Sequence, residues 1–77
     1  MEASKQYDIT GIHGAEIFRD LPLGLKLRMI DGALVEIVGN PHDGAVLVVR
    51  VIEPGERSPA VGEEDTIFFA DVKEVVG

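Results

Sequence analysis

No cysteine stands among the 77 residues, and tryptophan is missing as well. The first absence excludes disulfide frameworks, thiolate metal sites, iron–sulfur clusters and cysteine nucleophiles together. Aromatics are scarce, one tyrosine and three phenylalanines, whereas a stacking platform for bases needs exposed rings interleaved with cations. Bases are scarce too. Seven lysines and arginines against fourteen acids give a formal net charge of -7, which opposes general attraction to phosphate backbones or anionic lipid. Long apolar runs are also lacking: the most apolar stretch, Ala45 to Ile52, already contains Arg50 and falls far short of the roughly 18 to 20 residues of a membrane helix. The start, MEASKQYD, has neither a basic n-region nor an apolar h-region, so no signal peptide is expected and the expected location is cytoplasmic.

What is present is a chain that is 45% apolar. A domain this small buries only about 60% of the surface its unfolded chain exposes, so most apolar residues must serve the core. The expected organisation is a disordered tail over residues 1 to 8, whose end Tyr7 can anchor, followed by a single small domain over residues 9 to 77. From Gly14 to Leu21, Ile17, Phe18 and Leu21 form a short apolar stripe with Glu16, Arg19 and Asp20 facing away, and Pro22 stops it. This predicts one or two helical turns that survive only by packing on something larger.

After Pro22 the period becomes two. Leu25, Leu27 and Met29 alternate with Lys26 and Arg28, which predicts a strand, and Asp31-Gly32 suits a tight type I′ hairpin with both central residues at positive φ. Residues 33 to 38 alternate again and pair antiparallel with the first strand. Gly39 to Gly44 is dense in turn formers and forms a loop. Ala45 to Glu53, with Val46, Val48, Val49 and Val51, is the clearest strand in the chain. Pro54 to Asp65 is a long polar loop, Thr66 to Phe69 a strand, Ala70 to Val72 a tight turn and Lys73 to Val76 a closing strand. Five strands after one helical turn is the expected count.

Taking Glu36 and Arg50 as outward-facing sorts the central hairpin, because side chains two apart share a face. The inner set is then Ala33, Val35, Ile37, Leu47, Val49 and Val51. The outer set is Leu34, Val38, Val46, Val48 and Ile52 around a Glu36–Arg50 cross-strand pair, too apolar for a face left in water. Three covers are conceivable: the Ile17, Phe18 and Leu21 stripe, a strand that curls to enclose both faces, or a second copy of the chain.

The stretch from Gly32 to Gly44, GALVEIVGNPHDG, followed by an apolar strand, resembles the hairpin of KOW-type SH3-like barrels of ribosomal and transcription-factor proteins. The ending IFFADVKEVV resembles the tight turn and closing strand of SH3-like barrels. The resemblance implies a mainly β fold, a small five-stranded antiparallel SH3-like barrel with a short N-terminal helical turn. It also implies contact with RNA. The sequence departs from the family at that point: the loop is one residue longer than the usual KOW glycine spacing, and Asp43 stands where the family commonly has a base.

Chemistry-bearing sets are thin. His13 and His42 are the only strong neutral metal ligands, and no HxH, HxxxH or HxxE spacing surrounds either, so no metal or other cofactor is expected there. Glu63-Glu64-Asp65, with Glu53 and Glu56, lacks the DxDxDG pattern of a calcium loop and suits a self-repelling surface loop that discourages edge pairing. Ser4 and Ser58 have no histidine at motif spacing, and Gly11-Ile12-His13-Gly14 is not a phosphate loop. The expectation is therefore a non-enzymatic interaction module or accessory subunit, with Leu34, Val38, Val46, Val48 and Ile52 as the partner-binding face. The partner would be a second copy, giving a homo-oligomer, or a larger protein; nucleic acid is disfavoured and membrane is not expected. The alternative is a KOW-like nucleic-acid or ribosome-associated binder using Lys26, Arg28 and Arg50, and a third is a small metal or ligand site on the two histidines.

Overall fold

The computed structural model describes residues 7–57 and 60–77. Residues 1 to 6 of the expected tail lie outside the described residues, as do Ser58 and Pro59 in the long loop. Helix α1 (Gly14–Arg19) is followed by strands β1 (Lys26–Met29), β2 (Leu34–Gly39), β3 (Val46–Glu53) and β4 (Glu64–Phe68), a 3-10 turn (Phe69–Asp71) and β5 (Val72–Val75). The fold is mainly β, one antiparallel sheet in the order β4-β3-β2-β1-β5. Strands β4 and β5 are its two edges and share no ladder, so the sheet is not closed. No helix among the described residues is long and apolar enough to cross a membrane.

The period-two pattern sorts the two faces as expected. All six residues of the inner set are buried, joined by Leu27, Met29, Ile67 and Val75 from the flanking strands. Phe18 and Leu21 are completely buried in this same cluster, with Ile17, Phe69 and Tyr7 packed against it. The helix stripe thus covers the inner face, which overturns the first of the three conceivable covers for the outer one. Its side of the sheet is fixed by the phenylalanines: the ring centroids of Phe18 and Phe69 are 5.1 Å apart and tilted by 53°, a geometry worth about 0.5–1.5 kcal/mol beyond area burial.

Three local expectations change. Gly32 has φ of 94°, but Asp31 is not at positive φ. The hairpin is a three-residue loop in which Met29 N–H bonds Ala33 O at 2.8 Å and Gly32 N–H bonds Met29 O at 3.0 Å. That is a turn ending in a left-handed glycine, not type I′. Asp31 serves as an acceptor there, its carboxylate taking the Ala33 N–H at 3.0 Å. The long polar loop is shorter than expected because Glu64 and Asp65 belong to β4, where they pair with Arg50 and Val49. Phe69 leaves the strand for the 3-10 turn, because there it meets Phe18.

Helix α1 is too short to persist alone, and two devices hold it. At its start Gly14 is buried against Ile9, where an added Cβ would fall 2.0 Å from the Ile9 carbonyl oxygen. Past its end, the orphan carbonyls of Arg19 and Leu21 both accept bonds from Asn40 Nδ2, at 3.0 and 2.9 Å. Asn40 Oδ1 accepts the His42 N–H at 2.8 Å, and His42 Nδ1 lies 3.1 Å from the Arg19 oxygen. The turn-rich loop after β2 is therefore a latch on the helix.

Candidate functional site

The outer face is built by register. Lys26 lies opposite Glu36, Glu36 directly opposite Arg50, and Arg50 opposite Glu64. The four side chains form one row across β1, β2, β3 and β4 with alternating sign, positive, negative, positive, negative. The Arg50 guanidinium bonds Glu64 at 2.9 Å, so its closest partner is on β4 and not on β2. With both partners about half exposed, this ion pair contributes no more than about 1 kcal/mol.

The row divides the five residues expected to bind a partner. Leu34 and Ile52 lie on one side of it; Val38, Val46 and Val48 lie on the other. All five are half-buried and none is in the core cluster. The Leu34 end is bridged: Arg28, on β1, donates to Gly32 O at 2.9 Å and approaches Glu53 at 3.4 Å, while Leu34 itself is opposite both Arg28 and Glu53.

The other end stays open. Val46 is opposite Phe68, which is 56% exposed, and Val48 is opposite Gly39, which brings no side chain toward it. Even a methyl at position 39 would meet Val48 Cβ at 3.3 Å. The apolar patch at this end is thus the half-buried Val38, Val46 and Val48 together with the exposed Phe68. Phe68 did not stand in the expected site set. The signal that finds it is the pairing of Thr66–Phe69 with the valine strand, combined with Ile67 facing inward.

The rest of the surface offers little chemistry. His13 Nδ1 lies 3.0 Å from Glu16 Oε1 at the start of α1, and His42 sits past the other end of that six-residue helix, roughly 9 Å of helix away. They are not brought together. Among the described residues no group of three or more histidines, cysteines, aspartates or glutamates is placed to hold a metal ion. A cleft of about 230 Å³ opens between the Ile30–Asp31 turn and β4, floored by Val35, Val49 and Val51. The aspartates on its lining serve the backbone: Asp31 Oδ2 accepts the Arg57 N–H at 3.1 Å, Asp65 the Thr66 N–H at 2.9 Å and Asp71 the Phe68 N–H at 3.2 Å.

The last two bonds bear on recognition. Phe69 N–H bonds Ala45 O and Val51 N–H bonds Glu63 O, so by antiparallel alternation Thr66 and Phe68 point their backbone groups away from β3, out of the sheet edge. Two of the three outward N–H groups of β4, those of Thr66 and Phe68, are taken by carboxylates. Edge β4 is therefore a poor acceptor for an added strand. Lys26, Arg28 and Arg50, the cations of the nucleic-acid alternative, all lie on this side of the sheet, each opposite or bonded to an acid. What the outer face presents is an apolar patch beside a charge row of balanced sign.

No protein-family model, no curated protein and no solved structure matches the chain. The functional reading therefore rests on this geometry.

Proposed function

We propose that the chain is a non-enzymatic protein-interaction module, or a small accessory subunit, that docks through the outer face of its sheet in the cytoplasm. The observation that carries this reading is the patch of half-buried Val38, Val46 and Val48 beside the exposed Phe68, on the face of the sheet opposite the one that packs the helix and the core. An SH3-like frame is part of the proposal. It is supported by the strand order, in which four strands run as a meander and a 3-10 turn then carries the chain to the far edge, beside β1. Burial at about 25 cal/mol per Å² favours docking of such a patch, and the balanced row beside it supplies orientation more than affinity.

The nucleic-acid reading has less support, because the cations stand interleaved with acids on a chain of net charge -7 and form no continuous basic surface. The test is recovery of the tagged protein with its bound chains from its native host, for the wild type and for Val48→Lys. Val48 lies outside the core, so the variant keeps its melting temperature within a few degrees and loses the bound chains. A variant that folds and retains every bound chain overturns the proposal. Co-recovery of nucleic acid that is lost steeply as salt rises would favour the alternative.

A further inference from the structure

The sign pattern of the charge row says more about the partner than the apolar patch does. Numbered across the sheet, the row is Lys26 on β1, Glu36 on β2, Arg50 on β3 and Glu64 on β4. A two-fold axis that runs parallel to the strands, between β2 and β3 and in the plane of contact, reverses the strand order of a facing copy. Glu36 then faces the Arg50 of the second copy, and Lys26 faces its Glu64. Every position meets the opposite sign. The same rotation brings Val48 on β3 against Gly39 of the second copy, where no side chain stands in its way, with Val38 next to it in the bulge of β2. Few four-charge patterns have this property: a row of like sign or a palindromic one would set like charges against each other.

We infer that the outer face pairs with the outer face of a second copy of this chain, sheet on sheet, around a two-fold axis parallel to β2 and β3. This rests on the reading of the face as a docking surface and names its partner. Two sheets packed face to face keep their strands within about 30° of each other, which the axis permits, and a closed two-fold contact uses the same patch on both subunits. Glu36 and Arg50, on the two central strands, are at the middle of the contact. Edge β4, with the N–H groups of Thr66 and Phe68 already taken, is the less favourable route to association on that side of the sheet.

The experiment mixes complementary charge variants. Wild type, Val48→Lys, Glu36→Arg and Arg50→Glu are sedimented from micromolar to millimolar concentration, with circular dichroism melts to establish that each folds. The wild type dimerises and each variant alone is monomeric, since either charge reversal sets like charges opposite each other twice. An equimolar mixture of Glu36→Arg and Arg50→Glu restores a dimer, because position 36 of one chain again meets the opposite sign at position 50 of the other, in both contacts. If a central reversal prevents folding, Lys26→Glu with Glu64→Lys gives the same complementation at the ends of the row, where each residue has one charged neighbour instead of two. A wild type that stays monomeric at millimolar concentration overturns the inference and leaves docking on a different protein to the recovery experiment. A wild-type dimer that Val48→Lys dissolves, but that the mixed variants do not re-form, overturns the two-fold arrangement while the face remains a docking surface.

Discussion

Asn40→Ala removes three hydrogen bonds at once: two from Nδ2 to the carbonyls of Arg19 and Leu21 and one accepted by Oδ1 from the His42 N–H. A typical bond contributes about 0.5–1.5 kcal/mol net, and the exposed ones fall at the low end. Only the bond to Leu21 is partly buried, so the expected loss is about 1.5–3 kcal/mol. In a domain of this size that lowers the melting temperature by roughly 10 °C. The isosteric Asn40→Asp separates hydrogen bonding from packing. It keeps the acceptor for His42 but turns a carboxylate toward two carbonyl oxygens, so near neutral pH it costs at least as much as alanine. It recovers part of the loss when acidification protonates the new carboxyl, which then donates one bond. Thermal melts and amide exchange at Asp20 and Leu21 measure the effect. An Asn40→Ala loss below about 0.5 kcal/mol, or a wild-type melt for Asn40→Asp at neutral pH, would refute the idea that the loop after β2 latches the helix.

Gly14→Ala places a Cβ 2.0 Å from the Ile9 oxygen; backbone must move, so a loss at or above the 1–3 kcal/mol typical of overpacking is expected in denaturant titrations. Asp71→Ala frees the outward N–H of Phe68 and costs about 0.5–2 kcal/mol, as other lost caps do, with faster amide exchange at Phe68 as the readout. The Asp43 carboxyl is held below its ordinary value of 3.8, first by the Ala45 N–H and then by that of Val46. A depressed carboxyl stabilises the fold above its unfolded value and loses that contribution as pH falls through the folded one. Carboxyl NMR of Asp43 is therefore expected to titrate below 3.8, and a midpoint at or above that value contradicts the turn geometry.

The inner face was legible because period two fixes it: once Glu36 and Arg50 are set outward, six residues fall inside, and all six are buried. The same alternation places Glu36 opposite Arg50. What periodicity does not carry is which face the helix covers, because both faces are apolar and the stripe of Ile17, Phe18 and Leu21 fits either. Phe69 decides it, through a contact with Phe18 across about fifty residues of chain that no local pattern announces. Turn type failed for a related reason. Asp-Gly serves type I′ turns, but it serves equally a loop in which the aspartate accepts the next strand's N–H and only the glycine is left-handed.

The candidate face was half legible. Composition singles out Leu34, Val38, Val46, Val48 and Ile52, all five of them half-buried, but register determines which neighbours each of them has. Arg28 and Glu53, both opposite Leu34, approach each other at 3.4 Å, whereas Gly39 puts no side chain opposite Val48 and Phe68 extends the patch from β4. Those neighbours follow from register, and register follows from loop lengths that the sequence states only approximately. Glu64 shows the consequence. Assigned to a solvated loop, it is one more surface acid; placed opposite Arg50, it completes a row whose sign alternates across four strands. The alternation exists only in the folded register, since its members are separated by 10, 14 and 14 positions in the chain. A slip of one residue in any strand would turn that strand's charge to the inner face. Burial of the inner set fixes the register first, and the charge pattern of the outer face follows from it.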